Sequence, residues 1–211
     1  MKDLRPEKAF IFRIVHRDNM DWILQHGVHC RSANQINPNY VDIGNPDLIG
    51  KRSTRAVPAA PHGTLSDYVP FYFTPRSPML YNIKTGYNVP RRPNEEIVIL
   101  VSSLFKIADQ EIDFLFTDSH AYLQTAQFYD DLDRLDEVDW AILQASDFKR
   151  DNNDLGKFER YQAEALIHEH VPLAALRGVA CCNEAEAQKL RGLIAAADVE
   201  LKVAAKPSWY F

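Results

Sequence analysis

The longest run of strongly apolar residues in this chain is only five long, IVILV (97–101). A run of that length fits a buried strand and falls far short of the roughly 20 residues that a membrane-crossing helix needs. The other apolar runs are similar in size: FIFRIV (10–15), VPFYF (69–73), DFLFT (113–117), the centre of YQAEALIHEHV (161–171), GVACC (178–182) and ELKVAA (200–205). Charged residues or turn formers bound most of them, which predicts a strand-rich fold. Helical signals lie between. Asp18 is placed to cap a helix that carries Met20, Ile23 and Leu24 and stops at Gly27. Ser77 and Pro78 open a helix over 77–85, with Met79, Leu80 and Ile83 on its apolar stripe and Gly86 as its stop. Residues 119–129 and 130–145 read as two helices, and Asn183 caps another. With no repeat, linker or low-complexity segment, the pattern predicts a single α+β domain over residues 1–211.

Two stretches break this rhythm. Residues 28–66 have little period and many turn formers (NPNY, GNPD, PAAPHG). An unstructured connection of that length is unusual in a compact domain, so a functional loop or a short helix is expected there. Residues 146–160 (SDFKRDNNDLGKFER) are polar and turn-rich. Charge is unevenly spread. Residues 48–93 carry seven bases against Asp67 alone, whereas residues 107–164 carry 15 acids against five bases, within a chain of net charge −5. The basic segment suits an anion such as a dinucleotide or a nucleic-acid backbone, but the overall acidity argues against a dedicated duplex binder. The charged start, MKDLRPEK, is not expected to be a signal peptide. The odd cysteine count (Cys30, Cys181, Cys182) fits buried thiols in a reducing cytoplasm better than disulfides or zinc.

Four clusters of residues bear on chemistry. In DYVPFYFTPRSPMLY (67–81) most of the aromatics read as core, which leaves Tyr72 and Arg76 needing a reason. In QAEAL, Gln162 and Glu164 share a strand face, an arrangement open to a placed catalytic acid or to a solvated edge. Arg13, inside the first strand, must pair internally or reach a ligand, and His16 beyond it caps or packs. His168 and His170 have the spacing of two metal ligands, but no third ligand stands at a convincing distance, so no metal is expected. There is no P-loop, Gly-rich dinucleotide fingerprint or Ser–His–Asp order. The residues alone support an anion- or nucleotide-handling domain.

Taken together, IVHRDNMDWILQHG, KRSTRAVP, DYVPFYFTPRSPMLY, FLFTDSHA, YQAEALI and the terminal WYF resemble the DarT toxins, which ADP-ribosylate bases in single-stranded DNA. The resemblance implies an α+β ADP-ribosyltransferase fold: two packed, mainly antiparallel sheets with an NAD cleft between them and peripheral helices. It implies NAD as co-substrate, bound by Arg13, His16, Tyr72, Arg52 and Glu164. Arg13 holds the adenosine ribose, Tyr72 stacks on nicotinamide and Glu164 binds the nicotinamide ribose. Glu164 and Arg52 are the expected catalytic pair, with Arg55 as the alternative loop arginine. Gln162, Arg76, His120, Arg91 and Arg92 are expected to meet the DNA, and residues 146–160 match the loop that receives the target base. The implied function is transfer of ADP-ribose to thymine or guanine by the toxin of a toxin–antitoxin pair. Its partner would be an antitoxin with ADP-ribosyl hydrolase activity, of macrodomain or related type. The alternatives are an RNA- or protein-directed transferase or an NAD glycohydrolase of the same fold, and a non-catalytic NAD or nucleic-acid binding module.

Overall fold

The computed structural model describes residues 3–211. In chain order the elements begin with β1 (Phe10–His16), α1 (Met20–His26), β2 (Val28–His29), α2 (Pro46–Arg52), β3 (Tyr68–Tyr72) and α3 (Pro78–Thr85). They continue with β4 (Ile97–Ser103), α4 (Leu104–Asp109), β5 (Phe114–Thr117), β6 (Phe128–Tyr129), α5 (Trp140–Ala145) and α6 (Lys157–Arg160). Last come β7 (Glu164–His168), β8 (His170–Val171), β9 (Gly178–Cys181), α7 (Glu184–Ala196) and β10 (Val203–Ala205). The α+β class and the mainly antiparallel pairing expected from the sequence are present.

Hydrogen bonding links eight strands in the order β10-β9-β4-β1-β3-β7-β5-β6, and β2 pairs with β8 in a small second sheet. The large sheet is nearly divided. β1 and β4 pair at seven successive positions, but β1 and β3 pair at one, Phe12 with Tyr72. The halves on either side of that single pair are the two sheets of the expected fold, and the cleft lies where they part.

Strand alternation sets what each side receives. Val69, Phe71 and Phe73, and Ala165 and Ile167 of β7, enter the main core, which runs from Leu4 through β1, β4 and β9 to Tyr210. Each phenylalanine buried there contributes on the order of 1.5–3 kcal/mol of transfer free energy. From the other face of the same strands, Tyr68 and Leu166 pack with Val57, Leu65, Leu115 and Ala121 in a smaller core. Tyr72 and Glu164, opposite each other in register, complete that second face.

Several local expectations hold and others are revised. α3 starts at the Ser77 cap and ends at Gly86 in a left-handed conformation, and α7 starts at the Asn183 cap. The long 28–66 segment contains α2, capped by Asn45. Asp18 does not cap α1: a 3-10 turn at Arg17–Asn19 leads into that helix, and His16 caps the turn, its Nδ1 accepting the Asp18 backbone N–H at 3.2 Å. Residues 119–127 form turns rather than a helix, because backbone groups there bond outward, Ala121 N–H to the Glu164 carboxylate among them. Residues 130–145 break at Asp139, which caps α5 through a bond from Ile142 N–H. The YQAEALIHEHV strand begins only at Glu164, and Glu169, in a left-handed conformation, splits β7 from β8. Gln162 therefore lies in a turn and does not share a strand face with Glu164.

Candidate active site

A cleft of about 490 Å³ opens beside the parted strands, lined by Arg13, Arg52, Tyr72, His120 and Glu164 together with much of the 27–49 segment. Its size falls in the range of small-molecule sites. The adjacent strands β1, β3 and β7 supply Arg13, Tyr72 and Glu164 in turn.

Glu164 is almost wholly buried, and each of its oxygens has its own partner. Arg52 Nη1 donates to Oε2 at 2.9 Å, and Ala121 N–H donates to Oε1 at 3.1 Å. The Thr117 hydroxyl accepts the Glu164 backbone N–H at 3.1 Å and donates to Ser119 C=O. Burial by itself pushes the Glu164 carboxyl up. The Arg52 guanidinium, His120 and the hydrogen bonds from Arg52 and Ala121 together outweigh it, so the net shift is downward and the group stays ionised. Burial pushes the Tyr72 phenol up, and the Glu164 charge opposite adds to the shift, so Tyr72 stays neutral.

His120 Nδ1 lies 3.6 Å from Glu164 Oε1, yet it also accepts the Tyr122 backbone N–H at 3.1 Å. With Nδ1 engaged in this way, Nε2 is the ring nitrogen left to donate to a ligand. Arg13 Nη1 donates to Pro70 C=O at 2.9 Å. Arg13 Nε and Arg52 Nη2 are buried donors with no protein partner, which is expensive unless a ligand uses them. Two fixed positive charges carrying spare donors suit an anionic dinucleotide and its cleavage.

The loop over the cleft is held by a few polar bonds. The buried Asn19 amide donates to Val41 C=O at 3.0 Å and accepts Val41 N–H at 2.8 Å. Arg31 clasps Asp42 with two bonds of 3.0 and 2.9 Å. α2 itself buries no residue, so its cap and the Arg52 ion pair are its chief restraints.

The remaining expected site residues lie outside the cleft lining. His16 is buried, with Nε2 3.2 Å from Glu96 Oε2, and Arg92 donates to that same oxygen at 3.0 Å. Arg76 donates to Ser208 and Tyr210 C=O, at 3.1 and 2.6 Å, and lies over the Phe211 ring. Gln162 donates to Phe158 C=O at 3.1 Å. Arg91 is exposed, and Arg55 bonds to the 123–124 backbone and side chain instead of the cleft. His170 stacks on His29 at 4.2 Å, and both donate Nε2–H to His26 C=O. Among the described residues no group of three or more His, Cys, Asp or Glu could hold a metal ion. Sequence reasoning does not single out Ala121, whose contribution is a backbone N–H, or Asn19, whose work is local; FLFTDSHA is the only signal near the first.

Comparisons with known proteins agree on one family. A family model described as "ssDNA thymidine ADP-ribosyltransferase, DarT" matches residues 12–211. The chain is 52% identical over 209 residues to the DNA ADP-ribosyl transferase of Escherichia coli O127:H6 (strain E2348/69 / EPEC), spanning 99% of this chain and 96% of the relative. Its fold superposes on Thermus sp. 2.9 DarT in complex with ADP-ribosylated ssDNA with a TM-score of 0.90, at 32% identity and covering 98% of both chains. The same Thermus protein in complex with NAD+ matches with a TM-score of 0.85, at 32% identity, covering 98% of this chain and 99% of that one.

Proposed function

The chain belongs to the DarT family, the single-stranded DNA thymidine ADP-ribosyltransferases, and from that premise we propose how its residues divide the work. It is an NAD-dependent enzyme that transfers ADP-ribose to a base of single-stranded DNA. The base we assign is thymine. In thymidine N1 carries the deoxyribose, so N3 is the ring nitrogen left to attack. The bond from the ribose C1 to nicotinamide breaks, the bond from that carbon to N3 forms, nicotinamide leaves and the N3 proton is released.

Glu164 carries the first half of this step. Positive charge builds on the ribose as nicotinamide departs, as in glycoside cleavage, and an ionised carboxylate already fixed in place stabilises it without reorganising. Arg13 and Tyr72 hold the two ends of NAD. Arg52 serves the second half: its spare Nη2 stabilises the thymine anion as the proton is lost. A permanently charged guanidinium is a poor base, so the role is electrostatic. His120 offers Nε2–H to substrate. Arg91 and residues 146–160 meet the strand outside the cleft. An unpaired thymine enters without the cost of leaving a duplex stack, which accounts for the single-strand preference.

The observation that carries this reading is the buried Glu164 held at both oxygens beside an arginine with an unused donor. The whole chain acts as one domain, in the cytoplasm, as the toxin of a toxin–antitoxin pair. Its antitoxin is an ADP-ribosyl hydrolase of macrodomain or related type. No helix among the described residues is long and apolar enough to cross a membrane.

Labelled NAD incubated with thymine-containing DNA, thymine-free DNA, RNA and protein tests the substrate. Label should enter the first pool alone, and nucleoside mass spectrometry should place it on thymidine. Label on RNA or protein, or on guanosine, overturns the assignment.

A further inference from the structure

We propose that Arg55 is a positioning residue for the catalytic carboxylate, acting through the turn at residues 119–124. The inference rests on the reading of Glu164 given above. Arg55 lies three residues beyond Arg52. Its Nη2 donates to Leu123 C=O at 2.9 Å, and its Nη1 donates to Gln124 Oε1 at 3.1 Å. Leu123 N–H in turn donates to His120 C=O at 3.0 Å, which closes the turn that Arg55 holds.

From that turn come Ala121 N–H, bonded to Glu164 Oε1, and the His120 ring. One short segment thus governs both carboxylate oxygens. Arg52 binds Oε2 directly, and Arg55 fixes the turn that binds Oε1. The anchor is firm at its own end too. Leu65 N–H donates to Arg55 C=O at 3.0 Å, and Val57 packs with Ala121 in the small core beneath the cleft. Hydrogen bonds to a charged donor are the stronger kind, and apart from buried Ala121 the turn's other holds are neutral backbone bonds, His120 N–H to Glu159 C=O at 3.0 Å and Ala126 N–H to Leu123 C=O at 3.3 Å. A shift of about 1 Å in the Ala121 N–H would misplace Glu164 by an amount that matters for catalysis. Arg55 does not line the cleft, so it touches neither NAD nor the reacting atoms.

The test compares Arg55→Ala, Arg55→Lys and Glu164→Ala with the wild type in transfer of ADP-ribose from NAD to a thymine-containing oligonucleotide. Arg55→Ala is expected to lower kcat about 30-fold with the KM for NAD within about threefold. The acid limb of its pH profile should move upward, because a bond that favours the ionised carboxylate has been weakened. Arg52, His120 and Tyr72 are the charged and titratable groups facing Glu164, and the variant leaves all three in place. Arg55→Lys should recover most of the rate, since an ammonium can still donate to Leu123 C=O. A fall in kcat with an unmoved acid limb, or an Arg55→Lys as impaired as Arg55→Ala, overturns the proposal and leaves Arg55 a structural clip. If Arg55→Ala does not fold, Arg55→Met keeps the apolar stem without the donors and is judged by the same outcomes. A Glu164→Ala variant of near-normal rate would sink the underlying reading whatever Arg55 does.

Discussion

Glu164 and Arg52 form an ion pair in which both side chains are largely withdrawn from water, at 3% and 12% exposure. Such a pair contributes little net stability, because desolvation offsets most of the attraction, while removing one partner strands the other at a cost of roughly 3–5 kcal/mol. That makes it a poor choice for holding a fold and a good one for chemistry. The Glu164 carboxyl is depressed below its ordinary value of 4.5 in the folded protein. Its ionisation therefore stabilises the fold above the unfolded pKa, and that contribution is lost as pH falls from about 4.5 down through the lower folded value. Melting temperatures of wild type and Glu164→Gln should converge, or shift in favour of the variant, as pH drops through that window. A difference constant across pH 3–6 would mean that Glu164 is not held ionised. At this scale a strand period or a family resemblance singles out Arg13, Tyr72, Glu164 and Arg52, and the structure gathers all four around the cleft. The sequence is silent on Ala121, because a backbone N–H leaves no side-chain signature. At His16 the residue pattern, a cap or packing position, matches the bond from Asp18 N–H and the Glu96 pair, whereas the NAD contact implied by the resemblance has no counterpart in the cleft lining.

The strands are legible from short apolar runs because each is bounded sharply, and the caps at Ser77 and Asn183 mark α3 and α7. The 119–129 segment is not legible, since its backbone donors are drawn away from a helical ladder by a carboxylate 43 residues further along the chain. α2 offers a direct test at the same scale. It buries no residue, and Asn45 Oδ1 accepts Leu48 N–H at 3.1 Å. Asn45→Ala should loosen the helix by about 1 kcal/mol. Arg52 would then lose its fixed approach, and kcat/KM for NAD should fall several-fold with little change in Tm; an unchanged kcat/KM would show that α2 is held by something else. The basic segment divides similarly. Arg91 is exposed, while Arg92 is spent on Glu96. Arg91→Ala should reduce the slope of log affinity for single-stranded DNA against log salt by about one. Arg92→Ala should leave the slope alone and cost up to about 1 kcal/mol of stability. Equal effects on the slope would return Arg92 to the DNA face.

Across the whole molecule, the main core draws on both halves of the large sheet, from Leu4 near one end of the chain to Tyr210 near the other. Unfolding of residues 3–211 should be a single cooperative transition, coincident by near- and far-ultraviolet circular dichroism; two separated transitions would show that the halves fold independently. What the sequence does not convey at this scale is that the two expected sheets remain joined at Phe12 and Tyr72, because one register pair leaves no pattern in composition or period. That junction sets the cleft beside Tyr72 and Glu164, so the architecture and the chemistry share one location. The central claim is that Glu164 stabilises the breaking bond between ribose and nicotinamide. Its most direct test is nicotinamide release from saturating NAD by wild type and Glu164→Ala, with and without a thymine-containing oligonucleotide. The account predicts that Glu164→Ala falls by about 10³-fold or more both in DNA modification and in any slow release without DNA, with its fold intact. A folded variant that retains a tenth of the wild-type rate contradicts it.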